Sequence, residues 1–259
     1  TRKVQWSVAA AVVLSLGVIA TVMLAMGTPA RVNAVLASFG IATNGRYSTD
    51  IGERLAVNLK DGSQVTLNTN SSLQVEYTPT ERHIVLTQGQ ALFEVAKDKS
   101  RPFVVDAGGR RFVAVGTAFD VRVDGLQVQV TMIEGVVRVE REPGQVHLVA
   151  PTIATITAGE QLTANNDSLD RVRAADAERE TSWRRGQVFF DNTRLNDAVA
   201  EMNRYSETPI QLVDANLAEL RISGAFSTAR PAVFVEALTS YFPIDARTDE
   251  AAVLLTARQ

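Results

Sequence analysis

The dipeptide Gly116-Thr117 is a place in this sequence where residue type and spacing allow a chemical step to be written. A hydroxyl one residue after a peptide carbonyl can attack its carbon, which turns the amide into an ester that water then opens. Glycine leaves that carbonyl unhindered and tolerates the strained torsions that such an attack on a planar amide requires. A structural interpretation is also open, because a glycine corner followed by a strand threonine has the same sequence.

Other catalytic constellations are missing from the sequence. It contains no HExxH, no GxSxG, no CxxC and no glycine-rich phosphate loop followed by lysine. The chain has no cysteine, and its two histidines, His83 and His147, are far apart and read as surface imidazoles. The carboxylates are scattered in a pattern typical of strand ends and helix surfaces. The sequence therefore predicts a protein that is not a turnover enzyme and that has neither a metal nor a cofactor.

The run from Val8 to Met26 contains no charged residue. About 19 apolar or small residues reach close to the roughly 30 Å thickness of a bilayer core. Arg2 and Lys3 precede the run, which favours a cytoplasmic N-terminus and an exported body. We therefore predict a membrane helix with a short cytoplasmic flank over residues 1–27. A secretory signal peptide and a buried core helix are the alternatives.

The rest of the chain is long enough for one large domain or two small ones. The net charge of −3 gives no basic surface, so no nucleic-acid partner is expected. Because an exported body without cysteine has no disulfides, its stability must rest on its hydrophobic core.

Residues 28–46 read as a tether, and period-2 alternation over residues 47–166 predicts a β domain. Asp61-Gly62 between alternating runs predicts a hairpin turn. A weak internal repeat places apolar residues at fixed distances around Gly89 and Gly135, with an imperfect third copy at Gly159. A glycine at a fixed place in a strand suits a sheet that turns a corner. A solenoid-like roll and a sandwich both fit this pattern.

The next part of the chain changes period. Residues 167–182 are polar and read as a linker, and residues 183–259 alternate strand and helix patterns. One apolar stripe starts after Thr193, a plausible N-cap, and a second starts after Pro231. Their members are expected to face a core: Leu195, Ala198, Val199, Met202 and Tyr205, then Phe234, Ala237, Leu238 and Tyr241. Two strand–helix–strand units predict a small α+β module, so the fold class is mainly β with a C-terminal α+β module.

Five motifs stand in order behind the apolar run. They are DGSxVxLNxxSxL (Asp61 to Leu73), GQALFEVA (Gly89 to Ala96), RPFVV (Arg101 to Val105), VGTAFDVR (Val115 to Arg122) and EGVVRV (Glu134 to Val139). The sequence resembles the FecR family of transmembrane anti-sigma regulators, which sense iron–siderophore uptake in Gram-negative bacteria. The order of elements over 183–259 resembles the STN domain of secretins and signalling TonB-dependent transporters.

The resemblance implies a single-pass inner-membrane regulator whose C-terminus is periplasmic. Its implied partners are the periplasmic signalling domain of a TonB-dependent outer-membrane transporter, periplasmic and intramembrane proteases, and an extracytoplasmic-function sigma factor. The family binds sigma through an N-terminal cytoplasmic domain that this sequence lacks, so this chain is not expected to bind sigma itself. Some relatives cleave themselves at a Gly-Thr in this motif, which makes Gly116 and Thr117 the expected cleavage residues.

A partner strand is expected to pair with an exposed sheet edge, because such pairing gives affinity through main-chain hydrogen bonds. The candidate edge consists of Arg221, Ile222, Ser223, Gly224, Ala225 and Phe226. The alternative function is a structural or glycan-binding envelope protein anchored by one helix. Only 6% of the residues are aromatic, which counts against glycan binding.

Overall fold

The structure is a computed structural model that describes residues 45–141, 154–165 and 171–258. The predicted span from Val8 to Met26 lies outside these residues, as does His147. Within the described ranges, no helix has the length and apolar character needed to cross a bilayer.

The first part of the described chain is built from strands that pair antiparallel except for β5 with β6, which are parallel, and we call it the β body (residues 45–174). β1 begins at Gly45, inside the predicted tether, and β13 lies inside the predicted linker. The strands are β1 Gly45–Ser48, β2 Leu55–Asn58, β3 Gln64–Leu67, β4 Ser72–Tyr77, β5 Arg82–Glu94, β6 Phe103–Ala107, β7 Arg110–Ala114, β8 Ala118–Asp124, β9 Gln127–Glu134, β10 Val136–Arg141, β11 Ala154–Thr157, β12 Glu160–Asn165 and β13 Arg171–Ala174.

Two sheets share the long strand β5 and enclose one core. The N-terminal half of β5 pairs with β4 and β6 in a first sheet that runs β1-β4-β5-β6-β7-β10-β11. Its C-terminal half pairs with β3 and β8 in a second sheet that runs β2-β3-β5-β8-β9-β12-β13. β2 and β3 form the hairpin predicted at Asp61-Gly62. The result is a nearly closed, barrel-like body.

The glycines of the internal repeat lie where the chain passes from one sheet to the other. Gly89 bends β5 between its two halves, Gly135 separates β9 from β10, and Gly159 separates β11 from β12. Their φ angles are +83°, +84° and +83°, a left-handed conformation that costs glycine little. The prediction of glycine corners is confirmed, and the repeat sets where the two sheets join.

The remaining elements form what we call the C-terminal unit (residues 177–258). Its elements are α1 Ala177–Glu180, a 3-10 turn Ser182–Arg185, β14 Gln187–Arg194, α2 Leu195–Asn203, β15 Ile210–Leu212, a second 3-10 turn Ala215–Glu219, β16 Arg221–Ser227, α3 Pro231–Tyr241, β17 Ile244–Thr248 and β18 Val253–Ala257. β14 pairs with β16, while β18 lies between β15 and β17. The order of strands and helices predicted for this unit is confirmed.

Two details of the helix predictions are wrong. Thr193 belongs to β14, and Arg194 occupies the N-cap of α2 without a capping side-chain hydrogen bond. Tyr241 is 84% exposed, because α3 ends at that residue and Phe242 packs against the core instead. The apolar stripe of α2 is confirmed, since all five of its residues are buried.

Candidate functional sites: a strained dipeptide, a free strand and a polar seam

Gly116 and Thr117 lie in the connection between β7 and β8. Gly116 has a φ of +113°, a conformation that side-chain-bearing residues rarely adopt. A Cβ there would meet the Cγ of Lys97 and lie 3.1 Å from its Cα, so this position is also tightly packed. The Thr117 carbonyl accepts a hydrogen bond of 2.9 Å from the Val95 amide, which anchors the segment to the end of β5.

The Thr117 side chain is buried against the second glycine corner. A Cβ built on Gly135 would lie 2.7 Å from the Thr117 Cγ2, so only glycine leaves room for this threonine. Thr117 is 8% exposed, and its Oγ1 has no hydrogen-bond partner among the described residues. Buried hydroxyls are normally paired, which makes this hydroxyl exceptional. The segment borders a cleft of about 390 Å³ whose ionisable lining residues are Glu94, Lys97 and Glu134.

The predicted partner-binding residues Arg221 to Phe226 form most of β16. β16 pairs with β14, and no other described strand pairs with it. Arg221, Ser223, Gly224 and Ala225 are exposed, while Ile222 points into the core. The structure thus separates this edge from Gly116-Thr117, because the two belong to different units.

A third site lies where the C-terminal unit meets the β body, and we call it the seam. The Asn68 amide donates to the Tyr205 hydroxyl and to Gln90 Oε1, both at 2.9 Å. Gln90 Nε2 donates to Asp120 Oδ1 at 2.8 Å, and Trp183 Nε1 donates to Asp120 Oδ2 at 3.2 Å. These five residues form a continuous hydrogen-bonded chain that starts and ends in the C-terminal unit.

Asp120 is the buried centre of the seam. It is 3% exposed, and burial raises its pKa to about 7 although the Gln90 and Trp183 donors oppose the rise. Gln90 Oε1 also accepts from Arg204 Nη2 at 2.9 Å, which brings a cation close to Asp120. Asp120 is thus a buried carboxyl whose protonation changes near neutral pH.

An ion cluster closes the same contact on one side. Arg122 Nη1 lies 2.7 Å from Glu201 Oε2, and Arg204 Nη1 lies 2.8 Å from Glu201 Oε1. Burial acts to raise the pKa of Glu201, but the charges of Arg204 and Arg122 outweigh it and hold the pKa below its usual value. Further along, Arg54 Nη1 donates to the carbonyls of Trp183 and Arg184.

Sequence reasoning missed the seam and misread His83. The carboxylates as a group have a pattern typical of strand ends and helix surfaces, yet Asp120 lies inside β8 and is covered by a later segment of the chain. His83 is not a simple surface imidazole, because its Nε2 lies 2.7 Å from Asp106 and its Nδ1 lies 3.1 Å from Glu76. Within the described ranges, acidic and histidine side chains form no cluster that could hold a metal.

Comparison with known proteins gives two findings. Residues 45–138 match the family described as FecR protein. Two crystal structures of a candidate anti-sigma factor from Parabacteroides distasonis ATCC 8503, at 2.50 and 1.65 Å resolution, share the fold. The first has a TM-score of 0.69 and 23% identity, covering 84% of this chain and 100% of that one. The second has a TM-score of 0.68 and 24% identity, covering 83% and 99%. No curated protein matches the chain.

Proposed function

Because residues 45–138 of this chain form a FecR domain, we propose that the protein is a sigma-factor regulator of the cell envelope. The domain match is the observation that carries this proposal. The fold shared with a candidate anti-sigma factor adds support, because the likeness covers 84% of this chain.

In the proposed mechanism the described residues form the periplasmic receiver of a signal. The apolar run from Val8 to Met26 would hold the receiver at the inner membrane, with the N-terminus in the cytoplasm. A TonB-dependent outer-membrane transporter loaded with iron–siderophore would present its periplasmic signalling domain. Binding would lead to proteolysis in the periplasm and then in the membrane, and the released cytoplasmic part would alter sigma-factor activity.

The free edge of β16 is the proposed contact for the signalling domain. Its backbone is paired on one side only within the described part of the chain, and four of its residues are exposed. A strand added there would gain main-chain hydrogen bonds without disturbing the core beneath Ile222. The likeness of this unit to the STN domain is part of the same proposal. That likeness rests on the order of strands and helices, and the unit has that order.

The experiment that tests the proposal is a calorimetric titration of the purified chain with isolated signalling domains. Each domain comes from one transporter of the same organism. One partner with a Kd of about 1 µM or better, near −8 kcal/mol, among weak non-partners is the expected result. Absence of binding to every domain would overturn the receiver role and favour an envelope scaffold.

Self-cleavage between Gly116 and Thr117 is a second proposed activity. It is favoured by the Thr117 hydroxyl, which has no partner within the described ranges and follows a residue at φ +113°. The Oγ would attack the Gly116 carbonyl carbon, and the carbon–nitrogen bond would break as the hydroxyl proton passes to the leaving amine. Water would then hydrolyse the ester, which leaves a carboxylate on Gly116 and restores the Thr117 hydroxyl. Glu94 and Glu134 line the cleft and are the nearby groups that could relay protons.

Denaturing mass spectrometry of the full chain tests this activity. We expect a break after Gly116 that Thr117→Ala abolishes and Thr117→Ser keeps, because serine also supplies a hydroxyl. The same dipeptide at Gly27-Thr28 is an internal control that should stay intact. A single uncleaved mass for the unmutated chain would contradict self-cleavage and would leave the receiver role untouched.

A further inference from the structure

The two units of the chain have separate hydrophobic cores. One cluster of buried apolar residues lies entirely between Tyr47 and Ala164, and the other lies entirely between Val188 and Leu255. Trp183, which is buried in the seam, belongs to neither cluster. Among the described residues, the contact between the units therefore lacks a continuous apolar core, the feature that makes domain contacts hard to separate.

Hydrogen bonds and ion pairs connect the units instead. Besides the chain through Asp120, Thr69 Oγ1 donates to the Arg204 carbonyl at 2.9 Å, and Arg122 pairs with Glu201. Water can replace each of these partners when the units part. Asn68 Oδ1 is buried without a hydrogen-bond partner in the described part of the chain, so separation would also satisfy one orphaned group.

The seam is also incompletely filled. A cavity of about 210 Å³ lies between the units, with Asp120, Gln129 and Gln161 on one wall and β14 on the other. Three consecutive residues of β14, Val188 to Phe190, border it. Because consecutive side chains alternate between the faces of a strand, this places an edge of β14 at the cavity. Docking on the β body therefore shields that edge of β14 from solvent. It also shields part of Phe189, which is 40% exposed in the docked state.

We propose that the seam is a proton-controlled latch: the C-terminal unit docks on the β body while Asp120 is neutral, and ionisation of Asp120 favours its release. Release separates Trp183, Arg204 and Tyr205 from the β body and uncovers the edge of β14. The latch is a property of the chain alone, and it does not depend on which partner the receiver binds.

The sign of the pH effect follows from the position of Asp120. In the docked state its pKa is about 7, whereas in the released state the carboxyl meets water and returns towards its usual 3.8. The docked state therefore binds more protons, so docking is strongest at low pH and weakens as the pH rises towards 7. The linkage amounts to a nearly 100-fold fall in the docking equilibrium constant between pH 5 and pH 8, on the order of one factor of ten per pH unit below 7.

Other charges around Asp120 modulate this effect without causing it. Arg204 lowers the pKa of Asp120, and Glu180 on α1 raises it. The cluster of Arg122 and Glu201 lies beside them, and Glu201 is ionised throughout this pH range because its pKa is depressed. Arg179 on α1 and Asp197 on α2 also border the cavity. None of these charged groups is a histidine, and Asp120 is the group whose pKa of about 7 lies between the two pH values.

Exchange of the Trp183 indole N–H measures the docking equilibrium, because that proton is donated to Asp120 only when the units are docked. We would label the tryptophans of the full chain with ¹⁵N and follow solvent exchange by NMR, corrected for the intrinsic pH dependence of the indole. Trp6, the second tryptophan, gives a separate signal. The expected result is a nearly 100-fold loss of Trp183 protection from pH 5 to pH 8.

Three variants separate the latch from general stability. Asp120→Asn stays neutral and should abolish the pH dependence of protection. Arg122→Met removes the ion pair and should lower protection by a similar factor at both pH values, without changing the slope. Asp106→Asn changes a buried carboxylate of the first sheet whose ion-pair partners are His83 and Arg111, outside the seam, and should leave the slope as it is.

A distance measurement shows whether the whole unit moves. The chain has no cysteine, so spin labels can be placed at Lys99→Cys and Glu250→Cys, one exposed position in each unit. Arg122→Met is added so that released molecules are populated. A second, longer distance that grows from pH 5 to pH 8 is expected. Equal Trp183 protection at both pH values would overturn the proposal, and so would loss of protection with a single unchanged distance. The distance measurement does not use Asp120→Asn, so it tests the proposal even if that variant does not fold.

Discussion

Two glycine corners with the same backbone angle give a test of how the β body is joined. Gly89 and Gly159 both have a φ of +83°, and both lie where the chain changes sheet. Alanine at either position must adopt the left-handed conformation, which costs about 1–2 kcal/mol. At Gly159 nothing lies within 4 Å of the added Cβ, so Gly159→Ala should cost only that amount.

At Gly89 the added Cβ would also strike the neighbouring strand connection. It would lie 2.6 Å from the Asn70 carbonyl oxygen and 2.6 Å from the Ser71 Cα, both of which are backbone atoms that cannot rotate away. Overpacking of this kind costs about 1–3 kcal/mol more, so Gly89→Ala should cost roughly 2–5 kcal/mol in total. Equilibrium urea unfolding followed by far-UV circular dichroism measures both variants. Equal free energies of unfolding for the two variants would refute the reasoning.

Further predictions concern charge and chain cleavage. Asp61→Ala should cost about 3–5 kcal/mol in urea unfolding, because it leaves the fully buried Arg82 guanidinium without the carboxylate 2.6 Å away. Asp98→Ala, which removes a solvent-screened ion pair with Arg101, should cost much less. The hydrogen bonds to Asp61 hold its pKa below 3.8 against the opposing effect of burial, so the stability that the Asp61 carboxylate contributes is present above pH 4 and is lost as the pH falls below 4. Asp61→Asn should therefore make the melting temperature less sensitive to acid. An unchanged dependence of the melting temperature on acid pH would contradict this. A chain cleaved after Gly116 should stay together under native conditions, at the mass of the intact chain plus one water, because β8 stays paired with β5 across the break; separate fragments in native mass spectrometry would contradict this.

Local pattern was enough to predict the parts of the fold that local physics decides. The hairpin at Asp61-Gly62 follows from a turn that needs a positive φ, and Gly62 has a φ of +84°. The glycine repeat marked the corners because three similar places in the barrel-like body require the same backbone conformation. The stripe on α2 was readable because helix period and burial coincide there.

Features that depend on distant segments could not be read in this way. Alternation in β8 puts Phe119 and Val121 in the core and Asp120 on the opposite face. From the sequence alone, that opposite face is expected to be exposed to solvent. That face is buried because Trp183, 63 residues later, docks on it. Arg82 is fully buried for a similar reason, since its partners are Asp61 and the carbonyls of Ala96 and Arg101. The carboxylate of Asp120 between two core residues of a strand is the sequence signal that could have indicated a buried carboxyl.

The central claim is that the C-terminal unit receives a partner strand at β16. Hydrogen–deuterium exchange of the full chain, with and without a signalling domain that binds it, tests this claim most directly. We predict that the partner slows exchange in Arg221–Ser227 and leaves β17, an edge strand of the other sheet, unchanged. Slower exchange confined to the β body, with no change in β16, would contradict the account.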